Sequence, residues 1–223
     1  MSISNYVLLG PPGSGKSTQA ERLKESLYLE HIEMGSEMRA VAEEDTPLGR
    51  AVNEAVNYRH ELTSDDVMVA VLEKAIKRVP ENMGILIDGT PRNIAQIESV
   101  SRILGNFGRT LEKVIFISLS EEESVKRISK RYLCFGCRRP YILGQDIFNT
   151  KTVCKVCGGK IGRRKDDTPE GARKRYQIFH SKTLPVIEFF EKKRMLVRID
   201  GHKSADGVFQ NIVLQIGQTS KNV

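Results

Sequence analysis

Eight residues close to the N-terminus carry the most specific chemistry in this chain. Gly10-Pro11-Pro12-Gly13-Ser14-Gly15-Lys16-Ser17 fits the pattern G-x-x-x-x-G-K-[ST], and it lies between the apolar run Tyr6-Val7-Leu8-Leu9 and a helix-compatible run over 17–29. The glycines let the backbone curl so that successive N–H groups face anionic oxygens, and the helix that follows adds the positive end of its dipole. Lys16 is then placed to reach the β- and γ-phosphates of a nucleoside triphosphate, and Ser17 to offer its hydroxyl to Mg2+.

A second constellation is made of sulfur. Cys134-Phe135-Gly136-Cys137 and Cys154-Lys155-Val156-Cys157 are separated by sixteen residues and use all four cysteines of the chain. Two C-x2-C knuckles at that distance read as a four-cysteine zinc ribbon. Four thiolates (Cys134, Cys137, Cys154 and Cys157) close the coordination sphere, so the metal is expected to be structural. It would stabilise a sixteen-residue insertion, expected to be a β-hairpin, that is too small to bury a core. Disulfides are the rival pairing, disfavoured in a chain without a recognisable secretory signal.

Basic charge is concentrated rather than spread. Positions 126–175 hold fifteen Lys or Arg against four Asp or Glu, an excess larger than the net +7 of the whole chain, so the remainder is acidic on balance. Such a field suits a polyanionic small ligand as well as a nucleic acid. Within it, Ser120-Glu121-Glu122-Glu123 reads as a capping box opening a helix expected to carry Arg127 and Arg131 on one face, where an anion between them would relieve their repulsion.

The elements that must position these groups alternate. Apolar runs at 6–9, 85–88, 114–117 and 195–200 read as strands, and His31-Ile32-Glu33 as a short further one. Helical patterns follow, among them one with Ala20, Leu23 and Leu27 on one face, a short one at Pro47, and one capped by Ser64 with Val67, Val71, Leu72 and Ala75 inward. Others are read at 93–105, from Ser120, from Thr168-Pro169, from Leu184-Pro185 and within 207–217. Alternation of this kind predicts a parallel sheet with its ligands along the carboxyl edge, where Asp88 ends a strand beside the phosphate loop. At 223 residues and 39% hydrophobic, the chain is expected to form one core with insertions. No apolar run approaches the roughly 20 residues of a membrane helix, and a cytosolic, monomeric protein is expected.

Taken together, the phosphate loop, Asp88-Gly89-Thr90-Pro91-Arg92, the Arg127 and Arg131 pair and the cysteine ribbon resemble adenylate kinase of the long, zinc-lid type, over residues 6–217. The resemblance implies an α/β fold: a five-stranded parallel sheet of the P-loop NTPase type, flanked by helices. The core would be residues 1–33, 68–132 and 167–223, with a nucleoside monophosphate-binding insertion at 34–67 and a lid at 133–166. It implies reversible transfer of the γ-phosphoryl group of MgATP to AMP, giving two ADP, with ATP, AMP and ADP as partners and neither nucleic acid nor membrane. ATP would meet Gly10, Pro12, Gly13, Ser14, Gly15, Lys16, Ser17, Thr18, Arg127 and Arg131, with Lys203 near its base. AMP would meet Met34, Gly35, Arg39, Leu62, Thr63, Gly89, Arg92, Gln96, Arg164 and Arg175, with Gln96 reading the adenine. Lys16, Arg92, Arg127, Arg131, Arg164, Arg175 and Asp88 would serve catalysis, and Asp166 and Asp167 would orient the lid-side arginines.

The chain departs from the family pattern on the acceptor side. The T-G-D-L-L-R segment reads Met34-Gly35-Ser36-Glu37-Met38-Arg39, and Thr90 replaces an aromatic residue. These changes leave phosphoryl transfer in place and open the identity of the acceptor, with UMP, CMP or GMP as alternatives to AMP. A more distant alternative, a zinc-ribbon nucleic-acid-binding NTPase, gives no reason for Arg92 or Gln96.

Overall fold

The apolar runs become the strands of one sheet. A computed structural model of the chain describes residues 3–54, 64–137, 139–149, 152–164 and 167–219. In order, these form β1 (Asn5–Leu9), α1 (Lys16–Leu27), β2 (Leu29–Glu33), α2 (Met34–Ala42), α3 (Pro47–Asn53), α4 (Asp65–Ile76), β3 (Gly84–Asp88), α5 (Ala95–Asn106), β4 (Lys113–Ser118) and α6 (Glu121–Ser129). They continue with β5 (Arg131–Cys134), β6 (Pro140–Ile142), β7 (Ile161–Gly162), α7 (Pro169–Ile178), a π-helical turn (Phe179–Thr183), α8 (Leu184–Lys192), β8 (Leu196–Asp200) and α9 (Ala205–Thr219). Among the described residues no helix is long and apolar enough to cross a membrane.

The main sheet has the order β2-β3-β1-β4-β8 and is parallel throughout. Side chains alternate between its faces. Val7, Leu9, Ile85, Ile87, Val114 and Phe116 pack with apolar residues of α2, α4, α5 and α8. Leu8, Leu86, Ile115, Ile117 and Ile199 pack with those of α1 and α9. With both faces covered, β1 and β3 are buried from end to end, which is why they read as unbroken apolar runs.

Local signals set most helix starts. Thr46 and Thr168 accept the N–H groups of Gly49 and Gly171, each with a proline at the first helical turn. Ser120 accepts from the Glu123 N–H. Ser64 precedes α4 as expected, yet its side chain makes no capping bond; Asp65 and Asp66 in the first turn supply the favourable charge instead.

Two expectations are corrected. The helix read through Arg131 ends at Ser129, and Arg131 opens β5, where it pairs with Ile142. Strand pairing in the ribbon overrides the i,i+4 spacing, so Arg127 and Arg131 do not share a helical face. Among the described residues the insertion between the knuckles is not a hairpin of its own either: β6 pairs with β5, which runs into the first knuckle at Cys134, and β7 closes the other side, in the order β6-β5-β7.

The inner strands tolerate no added bulk. A Cβ at Gly84 would lie 2.3 Å from the Ser4 carbonyl oxygen and 2.5 Å from a Leu29 methyl carbon. Gly84→Ala is expected to lower unfolding free energy by about 1–3 kcal/mol in urea titrations; an unchanged midpoint would show that this edge yields.

Candidate active site

The phosphate loop leaves the end of β1 and turns back beneath α6. Gly13 and Gly15 have left-handed φ values of 75° and 92°, and a Cβ at Gly10 would meet the Ile117 carbonyl oxygen at 2.7 Å. The Ser124 hydroxyl donates to the Pro12 carbonyl at 2.6 Å, fastening α6 to the loop, and the Arg127 Cβ stands 3.5 Å from the position a Gly13 Cβ would take. Lys16 folds back across the loop and donates to the carbonyls of Gly10, at 2.7 Å, and Pro11, at 3.2 Å. Ser17 and Thr18 are exposed at the mouth.

Asp88 ends β3 in register with Leu8 on one side and Glu33 on the other. It is buried, and His31 Nε2 lies 3.6 Å from its Oδ2. Burial opposes a charge on His31, but the contacts with Asp88 and Glu21 outweigh it and raise the imidazole above its usual range. Lys16 moves the other way. Desolvation lowers its ammonium, Asp88 opposes this, and the charges of Arg92 and Arg131 add to the lowering. Lys16, Arg92 and Arg131 therefore share one field, although they come from the phosphate loop, the end of β3 and the base of the ribbon.

Asp167 gathers the guanidinium groups opposite. Its carboxylate accepts from Arg131 Nε at 2.9 Å and Nη2 at 2.6 Å, and from Arg175 Nη2 at 2.9 Å; Arg163 donates to its backbone carbonyl. Burial would raise this carboxyl, and the two arginines prevail and hold it below the usual aspartate value. Arg127 instead donates to Glu123 one helical turn back, at 2.9 Å. Arg164 is half-buried, and its carbonyl accepts the Asp167 N–H.

The four cysteine sulfurs lie within 4.8 Å of one another, and all are free thiols. Cys134 and Cys157 sulfurs are 3.4 Å apart, and those of Cys137 and Cys154 are 3.6 Å apart. A tetrahedron with Zn–S bonds of about 2.3 Å has edges of about 3.8 Å, so the donor set and its size fit a zinc ion. The buried Tyr141 hydroxyl donates to Cys154 Sγ at 3.1 Å, the chief influence bringing that thiol down to about 6. The bond favours the thiolate that a metal needs.

The family model for adenylate kinase matches residues 8–195. Curated proteins named adenylate kinase align over nearly the whole chain. That of Thermosipho africanus is 36% identical over 94% of this chain and 97% of its own length, and that of Kosmotoga olearia 38% identical over 93% and 96%. That of Pyrococcus abyssi is 38% identical over 93% of both. The chain belongs to the adenylate kinase family.

Set against the adenylate kinase pattern, most expected residues converge on the carboxyl edge of the sheet. Lys203 is exposed in the turn after β8, at the same edge as Ser118 and Ser120. Arg92 is exposed, and its Nε donates to the Gly89 carbonyl at 2.7 Å. Met34 is buried in the core with Met38 and Val41 rather than open to a ligand. Gln96 is buried and already engaged: its oxygen accepts from the Arg92 N–H at 2.7 Å and the Thr90 hydroxyl at 3.2 Å, and its amide donates to Asp65 at 2.9 Å. Thr90 in place of an aromatic residue thus supplies a hydrogen bond. Leu62, Thr63 and Asp166 lie outside the described residues.

Sequence reading missed Glu33, His31, Asp65 and Tyr141. Their only signal was a polar residue at a strand end or beside a motif, and the contacts that give them meaning come from other elements.

Asp167 sets a pH dependence with a definite sign. Because its native carboxyl is held below the ordinary value of 3.8, its contribution to stability is complete above that value and is lost as pH falls through the lowered one. Between about pH 5 and about pH 2 the wild type is expected to lose more stability than Asp167→Asn. Parallel acid-denaturation curves for the two would contradict the assignment.

Proposed function

We propose that this adenylate kinase transfers the γ-phosphoryl group of MgATP reversibly to AMP, with residues 34–67 clasping AMP and residues 133–166 closing over ATP. The observation that carries this reading is the shared field of Lys16, Arg92 and Arg131, which brings a phosphate-loop cation together with an arginine from the turn after β3 and one from the base of the ribbon.

The acceptor is a phosphate that is already anionic, so the step needs neither a covalent intermediate nor a strong base. Positioning and charge neutralisation carry it. Lys16 steadies the donor phosphates, Arg39 and Arg92 hold the acceptor phosphate, and Arg127, Arg131, Arg164 and Arg175 surround the group in flight. Planar guanidinium forks match phosphate oxygens better than ammonium groups do. Ser17 and Asp88, a hydroxyl and a carboxylate, are the hard oxygen donors that would hold Mg2+, which when bound with ATP neutralises charge on the β- and γ-oxygens. Cys134, Cys137, Cys154 and Cys157 would hold a structural zinc ion that keeps the lid folded. Lid closure excludes the water that would otherwise accept the phosphoryl group. We infer a cytosolic monomer in which the local positive charge serves nucleotides.

Lys16→Ala is expected to lower kcat about 100-fold or more with an unchanged circular dichroism spectrum. Near-normal turnover would refute its role, and faster turnover on UMP, CMP or GMP than on AMP would overturn the choice of acceptor. Cys134→Ser is expected to release zinc, measured by metal analysis, and to lower the melting temperature. A wild-type protein purified with zinc supplied and yet free of it would refute the ribbon assignment.

A further inference from the structure

Glu33 is an acid in an awkward place. It ends β2 in register with Asp88, half-buried, at the edge where phosphates are to bind. Its charge reaches both Lys16 and Arg92. A second carboxylate there repels an incoming nucleotide, so its presence calls for a task that offsets the repulsion.

The hydrogen bonds supply one. Ser36 donates from its hydroxyl to Glu33 Oε2 at 2.6 Å, and Arg39 Nη2 donates to the same hydroxyl oxygen at 2.9 Å. Since the hydroxyl proton is committed to Glu33, the Ser36 oxygen presents its lone pairs to the guanidinium. The direct Arg39 to Glu33 separation of 3.9 Å is too long for a hydrogen bond, so Ser36 is the bridge. Gly35 completes the arrangement: a Cβ there would lie 3.3 Å from Arg39 Nη1, so the bare backbone leaves the guanidinium its seat.

We propose that Glu33 is a positioning residue for the acceptor phosphate, acting through the Ser36 hydroxyl to hold the Arg39 guanidinium in its binding orientation. The inference rests on the reading of Arg39 as an acceptor-phosphate ligand. Glu33 itself touches no substrate. A long, flexible arginine is fixed before the acceptor arrives, and the entropy of ordering it is not charged to binding.

The test is steady-state kinetics of full-length Glu33→Gln, Ser36→Ala and Arg39→Ala with ATP and AMP varied separately. Glu33→Gln and Ser36→Ala are each expected to raise KM for AMP about 10-fold while KM for ATP and kcat stay within about twofold. A loss confined to kcat or to KM for ATP would show that Glu33 acts on Lys16 instead, and would overturn the proposal. So would a normal KM for AMP in Ser36→Ala, which keeps the acid and removes only the bridge. Arg39→Ala separates the two readings. An unchanged KM for AMP there refutes Arg39 as a ligand, whereas a raised one beside a normal Glu33→Gln refutes the relay alone.

Discussion

Like charges brought close together repel, and the carboxyl edge of this sheet collects Lys16, Arg92, Arg127, Arg131 and Arg175. The fold makes that tolerable by giving these cations oxygen partners of its own. Lys16 rests on two loop carbonyls beside Asp88, Arg127 on Glu123, and Arg131 and Arg175 on Asp167. They keep the cationic groups ordered and spread, and any anion that these groups bind must exchange one set of oxygen contacts for another, so the net gain on binding is smaller than the gross attraction.

The parallel sheet is what allows residues so far apart in sequence to share this field. Every strand of it runs the same way, so their carboxyl ends lie at one edge: the phosphate loop follows β1, Glu33 ends β2, Asp88 ends β3 with Arg92 just beyond it, and Ser120, which caps α6, follows β4. Two covered faces give the sheet the rigidity that placement of charge to within an ångström requires.

How much of this is legible in the chain depends on whether the signal is local. The phosphate loop, the proline-led helices and the cysteine knuckles can be read because their chemistry is contained in a few consecutive residues. Arg131 cannot, because strand pairing with Ile142, well beyond it in the chain, decides its backbone against an equally good helical spacing. Gln96 is legible as a site residue but not as one already bonded to Asp65, which belongs to another helix. Glu33 looks like the polar end of a strand, and only its register with Asp88 and the turn of α2 above it bring Ser36 and Arg39 within reach.

The π-helical turn at Phe179–Thr183 joins α7 to α8 without a break in the rod. Arg175 lies just before that turn and faces Asp167, while Thr183 at its far end donates its hydroxyl to the Arg92 carbonyl at 3.1 Å. One continuous helical run therefore ties the Asp167 cluster at the base of the ribbon to the turn that follows β3. The spacing between the carboxylate that gathers Arg131 and Arg175 and the backbone of Arg92 is thereby set by a length of helix rather than by loops.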